Sequence, residues 1–153
     1  MAGEGEKTIA VNRKARHDYF IEETIEAGLA LLGAEVKSIR EGRVNMKDGY
    51  ARIDRRGEAA LVGVHISPWT HTTQEPPDPD RVRKLLLHRR EIDRLGGKVR
   101  ERGYTLVPIR LYFKGGRVKV EIGLARGKEG HDKRAALKEQ QAKREIQRVL
   151  KSY

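Results

Sequence analysis

Polar and apolar residues alternate most cleanly late in the chain. Thr105, Val107, Ile109, Leu111 and Phe113 share one face of a strand, and Val118, Val120, Ile122 and Leu124 return with Lys119 and Glu121 between them. Gly115-Gly116 supplies the turn, so this period of two predicts a β-hairpin. Pro108 has no N–H to give to a ladder, which predicts an edge or a bulge at that position. A second alternation sets Tyr19, Ile21 and Ile25 against Glu22, Thr24 and Glu26, the pattern of a half-buried strand. Gly28 suits a turn, with Leu29–Leu32 as a short following strand. Residues 50–54 and 59–66 flank Arg55-Arg56-Gly57-Glu58, the signature of another hairpin.

Helical spacing is sparser. Asn12 fits the N-cap of a single turn over residues 12–17. Val36 and Ile39 suit a short amphipathic helix that ends at Gly42. Leu85, Ile92, Leu95 and Val99 form a helical stripe interrupted by Gly96-Gly97. Residues 67–81 carry four prolines and predict a loop, to which the sequence assigns no role. Several short strands, few helices and no βαβ alternation predict a mainly β (α+β) fold, a small barrel of the oligonucleotide-binding type. Residues 9–125 form that body. Residues 1–8, small and polar, predict a disordered N-terminus, and residues 126–153 a basic C-terminal tail.

Charge changes the picture more than length does. The chain has 153 residues, 33 Lys+Arg against 22 Asp+Glu and a net charge of +11. From Arg126 onward nine cations face four acids, so the tail alone carries +5. A cationic arm on a cationic body predicts a polyanionic partner, with RNA first. There is no cysteine, which removes disulfides, thiolate metal ligands and thiol nucleophiles. No apolar run has the length of a membrane span, and the N-terminus lacks a signal-peptide pattern. These features predict a soluble, cytoplasmic monomer with no membrane partner and no cofactor. The five histidines have no metal-ligand spacing, and no glycine-rich loop has the spacing that cradles phosphate.

Arg13, Lys14 and Arg16 crowd one turn beside His17. Guanidiniums bridge phosphates or stack on splayed bases, and an imidazole stacks too; the competing reading is a solvated helix face. Lys37 and Arg40, three apart on a helix, extend the cationic surface or serve solubility. Glu26 repels phosphate, yet a carboxylate accepts from base amino groups or a 2′-OH and so selects where cations only adhere. Within Leu85-Leu86-Leu87 one or two side chains must be core, and an outward one can pack on a base or ribose. In the tail, Ala142, Ile146, Val149, Leu150 and Tyr153 fall at helical spacing among cations. Such a helix is marginal alone in water, and either docks on the body or folds against a grooved, anionic partner. His131, between glycine-rich neighbours, can stack on a nucleobase.

Four blocks carry a resemblance: Asn12-Arg-Lys-Ala-Arg-His-Asp-Tyr19, Glu26 through Arg40, Arg83-Lys-Leu-Leu-Leu-His88, and Gly127-Lys-Glu-Gly-His-Asp-Lys-Arg134. In order and spacing the chain resembles the small protein B family, the SsrA-binding proteins of bacterial trans-translation, over about residues 9–150. The resemblance implies a non-enzymatic partner of transfer-messenger RNA (tmRNA). It implies an oligonucleotide-binding barrel that grips the tRNA-like domain and delivers it to stalled ribosomes. Asn12, Glu26 and Leu86 match positions tied to tmRNA, with Arg13, Lys14, Arg16, His17, Lys37, Arg40 and Lys84 around them. Lys128, His131, Asp132, Lys133 and Arg134 match the start of a tail near the decoding centre, in contact with small-subunit rRNA. Ile146, Val149 and Leu150 belong to the part that becomes helical in the empty messenger channel. Elongation factor Tu is then an indirect partner, through aminoacylated tmRNA. Two other classes stay in view: a structural ribosomal protein with an rRNA-buried extension, and, ranked last, a metal-dependent RNA-processing nuclease.

Overall fold

A computed structural model of the chain describes residues 5–71, 75–101, 103–128 and 141–148. The elements run β1 (Glu6–Val11), α1 (Arg13–Asp18), β2 (Tyr19–Leu29), α2 (Gly33–Arg40), β3 (Val44–Asn45), β4 (Tyr50–Ile53), β5 (Ala59–Val62), β6 (His65–Ile66), β7 (Arg83–Leu86), α3 (Arg89–Arg100), β8 (Tyr104–Lys114) and β9 (Arg117–Gly127). Residues 141–148 form a further short helix in the tail.

Alternation dictates the main sheet. Val118, Val120, Ile122 and Leu124 of β9 meet Leu106 and Leu111 of β8 in one core, joined by Leu61, Leu85 and Leu95 from other elements. Gly115 and Gly116 both adopt positive φ, at 58° and 76°, which fits the tight turn between β8 and β9. The strand order is β1-β8-β4-β5-β7-β2-β9, and β9 pairs back onto β8, so the sheet closes into a ring with β1 added on the outside of that closure. This is the mainly β, ring-like architecture the sequence predicts. The register of β8 shifts between Pro108 and Arg110, so the proline sits at a bulge.

Four local expectations are corrected. Glu6, Lys7 and Thr8, expected in a disordered N-terminus, belong to β1, because Glu6 pairs with Arg110 and the strand finds an edge of β8. Gly28 makes no turn. β2 runs unbroken through it to Leu29, and the missing side chain makes room for Leu86, whose Cβ would lie 3.3 Å from any Cβ built at Gly28. Leu29–Leu32 is therefore no separate strand. Leu85 is not helical but the buried centre of β7, paired with Ala59 on one side and Leu29 on the other. The helix begins at Arg89 and tolerates Gly96-Gly97, Gly96 facing Ile53.

One buried ion pair ties the loop after β6 to α2. Arg83 is 1% exposed and Glu35 2% exposed, and Arg83 Nε donates to Glu35 Oε2 at 2.9 Å. Arg83 also donates to the carbonyls of Val64 and Pro79, at 2.6 and 3.0 Å. Arg81 and the Leu32 amide donate to the other carboxylate oxygen. Burial pushes the Glu35 carboxyl up, but the donors from Arg81, Leu32 and Arg83 outweigh it, and the net direction is down. This network fixes the start of β7, whose outward residues are Lys84 and Leu86.

Candidate nucleic-acid interface

Alternation along β7 sorts its residues. Arg83 and Leu85 point inward, so Lys84 and Leu86 face out. Leu86 is 51% exposed, and it lies across Gly28 on the neighbouring strand. Along the outward face of β2 the sequence places Phe20, Glu22, Thr24 and Glu26, and all four are exposed. Glu26, Lys84 and Leu86 thus reach the same groove, a depression of about 1030 Å³ that Val36 of α2 and Lys119 of β9 also line. Its volume is that of a ligand cleft, and its lining mixes apolar, cationic and carboxylate groups.

Glu26 is held in place. The Tyr112 hydroxyl donates to its Oε2 at 2.6 Å and Lys114 Nζ lies 3.2 Å from the same atom. The Tyr112 bond, with Lys114 behind it, holds the Glu26 carboxyl below the ordinary carboxylate range against the opposing effect of burial. Burial, and then Glu26, push the Tyr112 phenol well up, so it stays a donor. Both bonds use one oxygen. Among the described residues Oε1 keeps no partner, so a charged acceptor of fixed position remains for a donor from outside.

Asn12 lies inside the fold rather than on its surface. It is 4% exposed; its Oδ1 accepts from the Ala15 amide at 3.2 Å, and its Nδ2 donates to Met46 and Pro108 carbonyls at 3.1 and 2.9 Å. The side chain caps α1 and ties it to the Pro108 bulge, both amide hydrogens being used within the protein. It is a positioning residue for the cations that follow it. Of these, Arg13 and Arg16 are exposed and make no ion pair among the described residues, whereas Lys14 lies 3.4 Å from Asp48. His17 contacts Asp18 at 3.0 Å.

The predicted residues do not form one patch. Glu26, Lys84 and Leu86 gather at one end of β2, with α2 beside them, while α1 precedes the other end. Six residues separate Phe20 from Glu26, about 20 Å along a strand. Lys37 and Arg40 are exposed on α2 but each covers an aromatic ring: Lys37 Nζ lies 4.1 Å from the Trp69 centroid and the Arg40 guanidinium 5.2 Å from that of Phe113. Tyr112 and Lys114, which organise Glu26, escaped the sequence reading, since they lie 86 and 88 residues away along the chain.

The Lys128 amide donates to the Asp18 carbonyl and its Nζ to the Arg16 carbonyl at 3.1 Å, so this residue is tied to α1. Ile146 lies exposed in the tail helix, where Arg144 contacts Asp48 and Arg148 lies 3.1 Å from Asp78. His131, Asp132, Lys133, Arg134, Val149 and Leu150 lie outside the described residues. Among the described residues no group of three or more acidic or histidine side chains is placed to hold a metal, and no helix is long and apolar enough to cross a membrane.

Comparison with known proteins places this geometry. The family model of the SmpB protein matches residues 9–152. The SsrA-binding protein of Kineococcus radiotolerans is 60% identical over 146 residues, covering 95% of this chain and 93% of the relative. That of Geobacillus thermodenitrificans is 57% identical over 149 residues, covering 97% and 95%. A solved structure described as "tmRNA-SmpB: a journey to the center of the bacterial ribosome" superposes with a TM-score of 0.68 at 50% identity, over 81% of this chain and 87% of that one. With a family model spanning nearly its whole length and relatives this similar, the chain belongs to the SmpB family.

Proposed function

We propose that this protein binds the tRNA-like domain of tmRNA and brings it to stalled ribosomes for trans-translation, the body holding the RNA and the tail occupying the empty messenger channel near the decoding centre. The observation that carries this reading is the groove, where an ionised carboxylate with one open oxygen, an exposed leucine and an exposed lysine converge. Lys84 and Lys119 attract phosphate and hold the RNA without reading it. Glu26 Oε1 accepts from a base amino or imino group or a 2′-OH, and so rewards one shaped RNA over another. Leu86 packs on the base or ribose beside it. Family membership, and relatives described as SsrA-binding proteins, support the same partner.

No bond chemistry is needed: the action is differential binding. A channel already filled by messenger excludes the tail by volume and by like charge on the phosphates it would need. Elongation factor Tu takes part only through the aminoacylated RNA. The test separates the two halves of the chain. Deletion from His131 onward should leave affinity for tmRNA within about twofold, as surface changes away from a site do, while tagging of stalled peptides is lost. Equal tagging by the shortened chain would refute the division.

A further inference from the structure

We infer, resting on the reading of Glu26 as the groove's selective acceptor, that Arg110 is the positioning residue that holds this carboxylate in place. Arg110 stands just past the Pro108 bulge of β8 and lies outside the groove's lining. It acts on RNA only through Glu26.

Strand register sets a problem around Glu26. Its partner on β9 is Glu121, so two carboxylates stand directly opposite, an arrangement that destabilises a sheet. Glu121 is in turn the partner of Arg110 on β8, and Arg110 Nε donates to Glu121 Oε2 at 3.0 Å. The guanidinium thus takes up the charge that would push Glu26 away from Tyr112 and Lys114.

Arg110 also reaches both groups that hold Glu26. Its guanidinium lies 4.0 Å from the centroid of the Tyr112 ring, whose hydroxyl donates to Glu26. Its Nη2 donates to Glu6 Oε2 at 3.1 Å. Glu6 Oε1 lies 3.9 Å from Lys114 Nζ, and that same ammonium lies 3.2 Å from Glu26. Nη1 donates to Thr8 at 3.2 Å, which draws β1 into the frame. Three nitrogens therefore serve three side chains on two strands, a task for a planar fork and not for a single ammonium. With those donors engaged and its side chain 20% exposed, Arg110 is no free anchor for phosphate. A staple for β1 alone would need Glu6 and Thr8; it would need neither Glu121 nor the Tyr112 ring.

The full chain, Arg110→Met, Arg110→Lys, Glu26→Gln and the Arg110→Met/Glu26→Gln double variant are each titrated with the tRNA-like domain of tmRNA. Arg110→Met should weaken binding about tenfold, in the range of networked residues, with an unchanged salt slope because no phosphate contact is lost. Arg110→Lys should recover only part of that loss. In the Glu26→Gln background Arg110→Met should cost nothing further; additive losses would reduce Arg110 to a staple and overturn the positioning role. Carbon-13 NMR titration of the Glu26 carboxyl gives a readout that needs no RNA. Its pKa, lowered by the Tyr112 hydroxyl and then by Lys114 and Lys119, should rise in Arg110→Met as Glu121 and Glu6 lose their counter-charge. A carboxyl that titrates unchanged overturns the positioning role too. If Arg110→Met does not fold, Arg110→Lys carries both readouts, with smaller changes in the same directions. RNA binding untouched by Glu26→Gln, with the carboxyl still shifted by Arg110→Met, would overturn the reading of the groove and uphold the positioning.

Discussion

The two ends of β2 differ in how their polar atoms are committed. At the groove, Glu26 has one oxygen occupied by Tyr112 and Lys114 and one left open, and Leu86 is set in place by Gly28. At the other end, Arg13 and Arg16 stand exposed without an ion pair among the described residues, and Phe20 is 55% exposed. On the proposed reading the first arrangement, its geometry fixed by Tyr112 and Lys114, would discriminate, and the second, with Arg13 and Arg16 in no ion pair among the described residues, would adhere. Position along one strand would then separate selection from attraction.

The severest way to break that contrast is to loosen the groove's frame. Glu35→Gln leaves Arg83 buried without its counter-charge and should cost about 3–5 kcal/mol of stability, read by denaturant unfolding. The pH dependence follows from the lowered Glu35 pKa. The folded carboxyl releases its proton more readily than the unfolded one, so its contribution is complete above the ordinary carboxylate range. It is lost as pH falls through the folded pKa, and acid titration of unfolding stability should show that loss missing in Glu35→Gln.

Next comes the reader itself. Glu26→Gln should weaken binding of the tRNA-like domain about 10–100-fold, the worth of a hydrogen bond to a charged group, with an unchanged salt slope because no cation is lost. A steep change in slope would mean that Glu26 acts through its neighbours' charges. Leu86→Ala should weaken the same RNA about tenfold, as loss of a base contact does, while unfolding moves little for so exposed a side chain. Gly28→Ala sharpens the point: the new methyl displaces Leu86 and should reproduce part of that loss with Leu86 still present.

The smallest effects belong to the adhesive end. Arg13→Ala and Arg16→Ala should each lower the slope of log affinity against log salt by about one unit if each meets a phosphate. Lys14→Ala should change it less, since Asp48 already holds that ammonium. Equal slopes for all three would remove the distinction between free and committed cations.

Much of this was legible in the residues. The β8–β9 hairpin announces itself because alternating runs flank Gly-Gly, but the bulge after Pro108 changes the phase of the first: Val107 and Ile109 pack in one cluster, Leu111 with Leu106 in the other. Asn12 announces α1 because a cap acts locally. Leu85 misleads, since it falls seven residues before Ile92, two helical turns, although β7 is a four-residue strand stabilised by partners far off in sequence. β1 is hard to see because its pattern is weak and its pairing to β8 lies about a hundred residues away. The groove's residue types were readable; the commitment of one Glu26 oxygen to Tyr112 was not, since only the closed ring brings them together. Nor did spacing reveal that Asn12 is sealed inside.

The tail helix contacts the body through Arg144 against Asp48, a largely buried aspartate, and Arg148 against Asp78, a pair about half exposed on both sides. Exposed pairs of this kind are worth about 0–1 kcal/mol each and weaken with salt. On the proposed reading, a dense array of phosphates would compete first for Arg148, whose pairing with Asp78 is the more exposed of the two, and only then for Arg144.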